Sequence, residues 1–255
     1  MKSFSNRYIF VFSLVMVVIV AIVLAFISGK LKPIQEMNVE IEKKQDILRS
    51  VGKAADAGEV EDKKTYINNE FSQYITDSYV VNFAGDRVEA DAFQITKNLK
   101  VQTDKPVEQR LLPVFVFSEN GVKRYIVPVR GKGLWGSIWG YVSFNDDFNT
   151  IYGAVFDHAK ETPGLGAEIN TPKFQIHFAG KRIFGDDGSF KSITVVKGGA
   201  RPDDPYGVDA ISGGTITSKG LEAMLHDCLT GYVNYFDREK AAVQAADTIN
   251  SESNE

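Results

Sequence analysis

One long apolar run near the amino terminus limits how this chain can fold more than any other feature. Every residue from Ile9 to Ile27 is apolar except Ser13. As a helix the run would be roughly 28 Å long, which is enough to cross the hydrocarbon core of a bilayer. A cleavable signal peptide is the alternative, but the run is too long for an ordinary signal core and its end at 25–27 is not a small-x-small cleavage site. The sequence therefore predicts a single transmembrane helix.

The charges that flank this run do not fix its orientation. Lys2, Arg7 and the amino terminus precede it, and several lysines follow it: Lys30, Lys32, Lys43 and Lys44. The positive-inside rule counts Lys and Arg near the ends of a span. That count is nearly balanced or leans toward a cytoplasmic domain, so charge alone leaves the topology open.

The composition is that of one sizeable folded core, with a second small unit at most. The chain has 255 residues, 44 % hydrophobic and 24 % charged, with a formal net charge of −4. This acidic balance gives no electrostatic reason to expect nucleic acid as a partner. The single cysteine, Cys228, excludes an internal disulfide and any Cys-ligated iron–sulfur or zinc site. Its place on an apolar helix face predicts a small buried hydrophobe.

After Leu111 the apolar pattern changes to the period of β-strands. Asn120 and Gly121 separate two such segments, as expected for a hairpin with a type I′ turn. The predicted strands are 79–83, 114–118, 123–129, 138–145, 149–155, 174–178 and 192–197, with a short helix over 66–75. Because strands outnumber helices and follow one another directly, we predict an α+β fold in which a largely antiparallel sheet with helices packed on it follows the transmembrane helix.

Shifts in composition predict four segments. Residues 1–30 form an N-terminal tail and the transmembrane helix, and residues 31–64 form a polar amphipathic connector. Residues 65–237 form the folded domain, and residues 238–255 form a polar C-terminal tail.

A long helix is predicted to begin within the small and hydroxyl residues at 208–220. Apolar positions with helical spacing follow Ser218: Leu221, Met224, Leu225, Cys228, Leu229, Tyr232, Tyr235 and Phe236. We expect Thr217 or Ser218 to be the N-cap, with Glu222 in the first turn. Thr215 is then expected just outside the helix.

The loop before this helix has the features of an anion site. Unpaired N–H groups at a helix N-terminus bind anions, and Gly213 and Gly214 would let a large group approach Thr215. A P-loop would need glycine immediately before Lys219, and a penicillin-binding S-x-x-K motif would need serine in place of Ile216. Both patterns fail, which leaves a phosphate-bearing cofactor or a simple Gly-rich turn.

Asp209, Ser212, Gly213, Gly214 and Thr215 together form the pattern D-x-x-S-G-G-T. It resembles the D-x-x-(S/T)-G-A-T motif that flavin transferases recognise when they esterify FMN onto a threonine. Gly214 stands where that motif usually has alanine. The resemblance implies that Thr215 is joined to the FMN phosphate. It also implies that Asp209 serves mainly in recognition by the flavin transferase, with a turn-forming role as the alternative.

Two further glycine-containing stretches precede this motif. G-K-G-L-W-G at 131–136 matches G-x-G-x-x-G, but a strand rather than a helix is predicted after it, so we expect a tight connection and not a dinucleotide site. Trp135 is either a cofactor wall or a core tryptophan. E-T-P-G-L-G at 161–166 predicts a rigid turn before a short helix.

In this order and at these intervals, the three stretches resemble the FMN-binding domain family found in the C subunit of the sodium-translocating NADH:quinone reductase. The resemblance implies two groups of cofactor contacts within the 65–237 domain. The first would hold the phosphate: Ser212, Gly213, Gly214 and Thr217. The second would contact the isoalloxazine or its ribityl chain: Thr162, Leu165 and Gly166.

The resemblance also implies a function. The chain would carry covalent FMN and relay single electrons between other membrane and peripheral subunits of one respiratory complex, which oxidises NADH, reduces quinone and moves sodium. The FMN domain would lie on the periplasmic side of the bacterial inner membrane. No catalytic residue and no metal site is expected on this chain, because electron relay needs no general base and the histidines lack partners at metal-ligand spacing. His158, His177 and His226 therefore stay unassigned.

Two alternatives stay open. The G subunit of the related Rnf electron-transport complex shares the anchor and the flavin-threonine motif, although the chain length and the charged segment at 33–64 favour the quinone reductase family. A membrane-tethered binding domain without a cofactor belongs to a different functional class.

Overall fold

A computed structural model describes residues 5–252, and the side chains of residues 5–243. Two compact units divide between Lys43 and Lys44. The first helix, α1 (Asn6–Arg49), contains Pro33 and continues without a break past the predicted boundary at residue 30. Within the described residues, α1 is the one helix long and apolar enough to cross a membrane. Its side chains from 9 to 27 are exposed, as expected for a segment that faces lipid.

The second unit is built on a six-stranded sheet in which every neighbouring pair is antiparallel. Its strands are β1 (Ile75–Val81), β2 (Arg87–Val88), β3 (Leu112–Glu119), β4 (Val122–Lys132), β5 (Ser137–Phe144) and β6 (Ile151–His158). Their order is β2-β1-β3-β4-β5-β6. The predicted hairpin is confirmed, because Asn120 and Gly121 both have positive φ angles, 52° and 82°, between β3 and β4. A separate parallel pair joins β7 (Thr194–Val196) to β8 (Gly207–Asp209).

Helices pack on this sheet, which confirms the predicted α+β class. They are α2 (Lys63–Tyr74), α3 (Ala92–Lys97), α4 (Leu99–Thr103), α5 (Pro172–Gln175) and α6 (Thr215–Glu252). Short 3₁₀ turns cover Val107–Gln109, Gly166–Asn170 and Ile176–Phe178. The main core lies between α6 and the sheet, where Leu225, Leu229 and Phe236 on α6 share one buried cluster with Val127 and Val142 on the strands.

The strand predicted at 174–178 is wrong. That segment forms α5 followed by a 3₁₀ turn. Thr171 caps α5 by accepting a hydrogen bond from the N–H of Phe174, and Pro172 occupies the start of the helix, where its missing N–H costs nothing. Phe174 and Phe178 are both buried and lie four residues apart, a spacing that suits one face of a helix.

The predicted start of the long helix is also wrong. α6 begins at Thr215, so Thr217 and Ser218 lie inside its first turn and neither is the N-cap. Glu222 lies beyond the first turn, where its carboxylate accepts the N–H of Val195 at 2.6 Å. α6 also continues to Glu252 through most of the predicted tail at 238–255, of which residues 253–255 lie outside the described part.

The fold of the second unit begins earlier than the boundary predicted near residue 65. The last residues of α1 and the turn that follows it belong to this unit, since Ile47 and Val51 are buried in one cluster with Phe115 and Phe117. The sequence did not indicate this earlier start, because most residues of the predicted connector are polar and only a narrow stripe of it is apolar.

Candidate functional site

The G-K-G-L-W-G stretch forms the tight connection between β4 and β5. The N–H of Gly133 donates to the carbonyl of Gly136 at 2.8 Å and closes the turn. The strand predicted after this stretch is confirmed, whereas a dinucleotide-binding loop would lead into a helix. Trp135 is 63 % exposed at the tip of the turn, which rules out the core-tryptophan alternative.

The S-G-G-T stretch begins with a second tight turn. The N–H of Gly214 donates to the carbonyl of Ile211 at 3.0 Å, and Gly213 has a φ of 73° at the position where a type II turn requires a positive value. A Cβ on Gly213 would lie 2.5 Å from Leu165 Cδ2. The turn therefore lies directly against the E-T-P-G-L-G loop, and glycine is needed both for the backbone angle and for this contact.

The first turn of α6 has an inner and an outer face. Thr217 and Ser218 are each 1 % exposed. Ser218 Oγ accepts the N–H of Ile211 at 3.1 Å, which fixes the preceding turn to the helix. Thr215 and Ile216 lie on the outer face and are exposed. The threonine hydroxyl that a cofactor could reach is therefore that of Thr215.

Free N–H groups surround Thr215. Within residues 5–252, no hydrogen bond occupies the N–H of Thr215, Ile216 or Thr217, whereas the N–H of Ser218 donates to the carbonyl of Gly214 at 2.9 Å. Unpaired donors at the positive end of a long helix stabilise an anion. The predicted anion site thus has both the donors and the open approach that it requires.

Glu161 connects the three motifs, a role that sequence reasoning did not give it. Its Oε1 accepts the N–H of Trp135 at 2.8 Å, and its Oε2 accepts the hydroxyl of Thr217 at 2.5 Å. The side chain is only 5 % exposed. Glu161 begins the E-T-P-G-L-G stretch, and its contacts across 26 and 56 residues of sequence could not be read from spacing.

The carboxylate of Glu161 is stabilised in its charged form. Burial raises its pKa, but the hydrogen bonds from Thr217 and from the backbone N–H groups of Trp135 and Gly136, with His158 nearby, outweigh burial. The net effect holds the pKa of Glu161 below its ordinary value.

The E-T-P-G-L-G loop presents some of its predicted contacts outward and buries others. Thr162 is exposed, and its carbonyl accepts the N–H groups of Leu165 and Ala167 at 3.1 Å each. Leu165 is 41 % exposed beside Gly213. Gly166 is buried under α6, where a Cβ would lie 2.5 Å from Thr217 Oγ1.

Asp209 lies at the end of β8 and shapes a neighbouring turn. Its Oδ1 accepts the N–H of Ala200 at 2.7 Å, next to Gly198 and Gly199, which both have positive φ angles. This contact supports the turn-forming alternative. The side chain is exposed, so it is also accessible to a partner.

His158 and Cys228 make structural contacts in the folded domain. Among the described residues, no group of three or more His, Cys, Asp or Glu side chains could hold a metal ion. His158 Nδ1 accepts the N–H of Glu161 at 3.2 Å and so belongs to the loop structure. Cys228 is buried as predicted, and burial raises the pKa of its thiol to about 11.

Comparison with known proteins agrees with this geometry. The family model of the FMN-binding domain matches residues 133–230, a span that begins within the β4–β5 turn and includes the other two loops. Together with the candidate membrane helix, this defines the class as an FMN-binding domain protein with a membrane anchor.

Relatives that match most of the chain narrow the class to one family. The C subunit of the Na(+)-translocating NADH-quinone reductase from Neisseria meningitidis serogroup B is 33% identical, with 94% of this chain and 96% of that protein covered. The same subunit from Vibrio vulnificus is 30% identical over 79% of this chain and 82% of that protein. The chain therefore belongs to the family formed by the C subunit of the Na(+)-translocating NADH-quinone reductase, whose members are parts of an oxidoreductase complex.

Solved structures give the same result. The crystal structure of the C subunit from Parabacteroides distasonis has 42% sequence identity and a TM-score of 0.69, covering 81% of this chain and 96% of that one. The crystal structure of NqrC from Shewanella oneidensis has 30% identity and a TM-score of 0.63, covering 78% and 99%.

Proposed function

We propose that this chain is the membrane-anchored flavin subunit of a sodium-translocating NADH:quinone reductase and that it carries FMN through a phosphoester to Thr215. Membership of the C-subunit family supports the assignment of this chain to that complex. The observation that carries the attachment site is the exposed hydroxyl of Thr215 beside unpaired N–H groups at the start of α6. The D-x-x-S-G-G-T pattern supports the same residue.

The residues around Thr215 fit a phosphate. The N–H groups of the first three α6 residues and the exposed hydroxyl of Ser212 are donors, and Gly213 leaves the approach open. Gly214 is buried at the base of the turn and contributes backbone only. Thr217 donates its hydroxyl proton to Glu161, so its contribution to phosphate binding would come from its backbone N–H.

Apolar side chains near this end of α6 fit a flat aromatic ring. Ile216 is 60 % exposed, and Leu165 and Trp135 are also exposed on the two adjoining loops. Thr162 offers a hydroxyl at the edge of the same loop as Leu165. Bound FMN would supply the one-electron redox chemistry, and the part of this chain would be to hold and orient the group.

Attachment is a group transfer to the threonine. Thr215 Oγ forms the new bond to phosphorus as the bond between that phosphorus and the leaving group of the flavin donor breaks, and the leaving group departs with the threonine proton. We assign Asp209 to recognition by the flavin transferase, in addition to its turn contact with Ala200. A covalent link keeps the cofactor at its site even where no free flavin is available.

We further propose that the FMN domain lies on the periplasmic side of the inner membrane and exchanges electrons with other membrane and peripheral subunits of the complex. Electron relay would require no general base and no metal ligand set on this chain. NADH oxidation and quinone reduction would take place on those other subunits.

Intact-mass analysis tests the attachment. Protein purified from its native membrane should exceed the mass of the polypeptide by FMN less one water, and denaturing gels should show a fluorescent band. We expect Thr215→Ala to remove both signals. Thr230→Ala is a matched control on the same helix, since the Thr230 hydroxyl donates to the carbonyl of His226 and lies away from the first turn. An unmodified wild-type chain in membranes that contain an active flavin transferase would contradict the proposal.

A further inference from the structure

One buried carboxylate joins three segments that are distant in sequence. Glu161 accepts a hydrogen bond from Trp135 in the β4–β5 turn and another from Thr217 in the first turn of α6. Glu161 itself begins the E-T-P-G-L-G loop. Hydrogen bonds from neutral donors to a charged acceptor are stronger than bonds between neutral groups, so this contact is well suited to fix the three segments against one another.

Two glycines leave room for this carboxylate. A Cβ on Gly133 would lie 2.5 Å from Glu161 Oε1, and a Cβ on Gly166 would lie 2.6 Å from Glu161 Oε2. Real Cβ atoms do not approach oxygen so closely, so any side chain at either position would displace the carboxylate. One glycine of the β4–β5 turn and one of the E-T-P-G-L-G loop itself thus line the space that the carboxylate occupies.

The bond to Thr217 fixes the rotation of the first turn of α6. Successive residues of an α-helix are rotated by about 100°, so a helix held by Thr217 on its inner face presents Thr215 on its outer face. Ser218 adds a second inner contact through the N–H of Ile211. The direction of the Thr215 hydroxyl therefore depends on a contact made two residues later.

We propose that Glu161 is a positioning residue for flavin attachment at Thr215, a role that rests on the proposed function. Glu161 acts through Thr217 and does not itself take the Thr215 proton, because it is buried and both of its oxygens already accept hydrogen bonds. Its carboxylate orders the β4–β5 turn and the start of α6 so that the free N–H groups and the Thr215 hydroxyl face the same approach.

The test is a time course of flavin attachment to the full-length chain, co-expressed with an active flavin transferase and followed by intact mass. We expect Glu161→Ala to slow attachment about 10- to 100-fold, the range expected for the loss of a hydrogen bond to a charged group. Glu161→Gln should restore most of the rate, because its carbonyl can accept from Trp135 and its amide can donate to Thr217 Oγ1. Glu168→Ala is the matched control, since the half-buried Glu168 also accepts a loop N–H through its carboxylate, that of Gly164 at 3.1 Å, but this hydrogen bond is exposed to solvent.

A double-mutant cycle separates positioning from direct phosphate binding by Thr217. If Glu161 acts on the start of α6 through Thr217, then Glu161→Ala combined with Thr217→Val should slow attachment no more than Glu161→Ala alone. Additive effects would show that Thr217 acts on the phosphate independently of Glu161 and would overturn the proposal. Amide hydrogen exchange at Trp135 should rise in Glu161→Ala and stay low in Thr217→Val, because only the first change removes its acceptor.

The outcomes distinguish this inference from the proposed function. Wild-type chain without the mass adduct would contradict the attachment itself. Wild-type and Glu161→Ala chains modified at the same rate would overturn only the role of Glu161. If thermal unfolding shows that Glu161→Ala is not folded, the test uses Thr217→Val and the conservative variant Thr217→Ser. We expect slow attachment in Thr217→Val and a rate close to that of the wild type in Thr217→Ser. Equal attachment rates in the two variants would reject the proposal.

Discussion

Thr215 and Thr217 have opposite surroundings although they are two residues apart on one helix. Thr215 is exposed, and the N–H groups beside it are free. Thr217 is buried and donates to Glu161 at 2.5 Å. A helix turns by about 200° over two residues, so one threonine must face the loops when the other faces away. At the residue scale, one threonine is available for chemistry and the other holds it in place.

The stability of the domain should depend on the ionisation of Glu161. Its folded pKa lies below its ordinary value of 4.5, so the charged form contributes stability above that value, and this contribution is lost as the pH falls through the folded pKa. We expect the difference in unfolding free energy between the wild type and Glu161→Gln to be greatest near neutral pH and to shrink below about pH 4.5. Urea unfolding at a series of pH values measures this difference.

A difference that stays constant from neutral pH down to the acid limit of folding would show that the Glu161 carboxylate has no stabilising role.

At the scale of elements, α6 and β4 approach unusually closely at the end that carries the site. A Cβ on Gly131 would lie 2.7 Å from Met224 Cβ, and a Cβ on Gly220 would collide with the backbone carbonyl of Lys132. Two glycines, one on each element, therefore permit the helix to lie against the strand. This packing fixes the helix axis, and Glu161 then fixes the rotation of its first turn.

Gly220→Ala should destabilise the domain although alanine is the better helix former. The new methyl group would meet a carbonyl that belongs to the β4 backbone and cannot turn away, so we expect a loss of about 1–3 kcal/mol in unfolding free energy. Gly231→Ala on the same helix is the control, because its Cβ would lie 3.1 Å from the flexible end of Leu112. The unfolding free energy of Gly231→Ala should stay within about 1 kcal/mol of that of the wild type. Urea unfolding of both variants measures the two changes. Equal effects would show that helix propensity, and not the close approach, decides stability at these positions.

At the scale of the whole molecule, the chain consists of two units with different physical requirements. The unit that ends at Lys43 exposes an apolar helical surface of a length that matches a bilayer. The unit that begins at Lys44 buries its apolar side chains between α6 and the sheet. The solved relatives cover about four-fifths of this chain, 81% and 78%, at nearly their full length.

Cysteine labelling can decide the side of the membrane. Cys228 is buried and the pKa of its thiol is raised to about 11, so it should not react with a maleimide in the folded protein near neutral pH. Lys123→Cys adds one accessible thiol at the exposed start of β4. With a periplasmic domain, we expect a membrane-impermeant maleimide to label this variant in cells whose outer membrane is permeabilised, and to leave the wild type unlabelled. Labelling only after the inner membrane is broken would place the domain in the cytoplasm.

Much of the architecture could be predicted because it depends on local patterns. The apolar run gave the membrane helix, Asn120 and Gly121 gave the β3–β4 turn, and strand periodicity gave the antiparallel sheet. Errors arose where capping or tertiary packing decided the outcome. Thr171 and Pro172 start a helix in place of the strand predicted at 174–178, and the long helix begins at Thr215, before its apolar pattern starts.

The sequence by itself determined the anchor, the fold class and the resemblance that points to Thr215, since each depends on residues close together in the chain. Only the tertiary structure decided which hydroxyl faces outward and which is buried, because that depends on how the first turn of α6 is rotated against two distant loops. Glu161 sets that rotation through contacts with Trp135 and Thr217 that no spacing rule contains. The identity of the proposed attachment residue is thus local information, whereas its accessibility is a property of the packed domain.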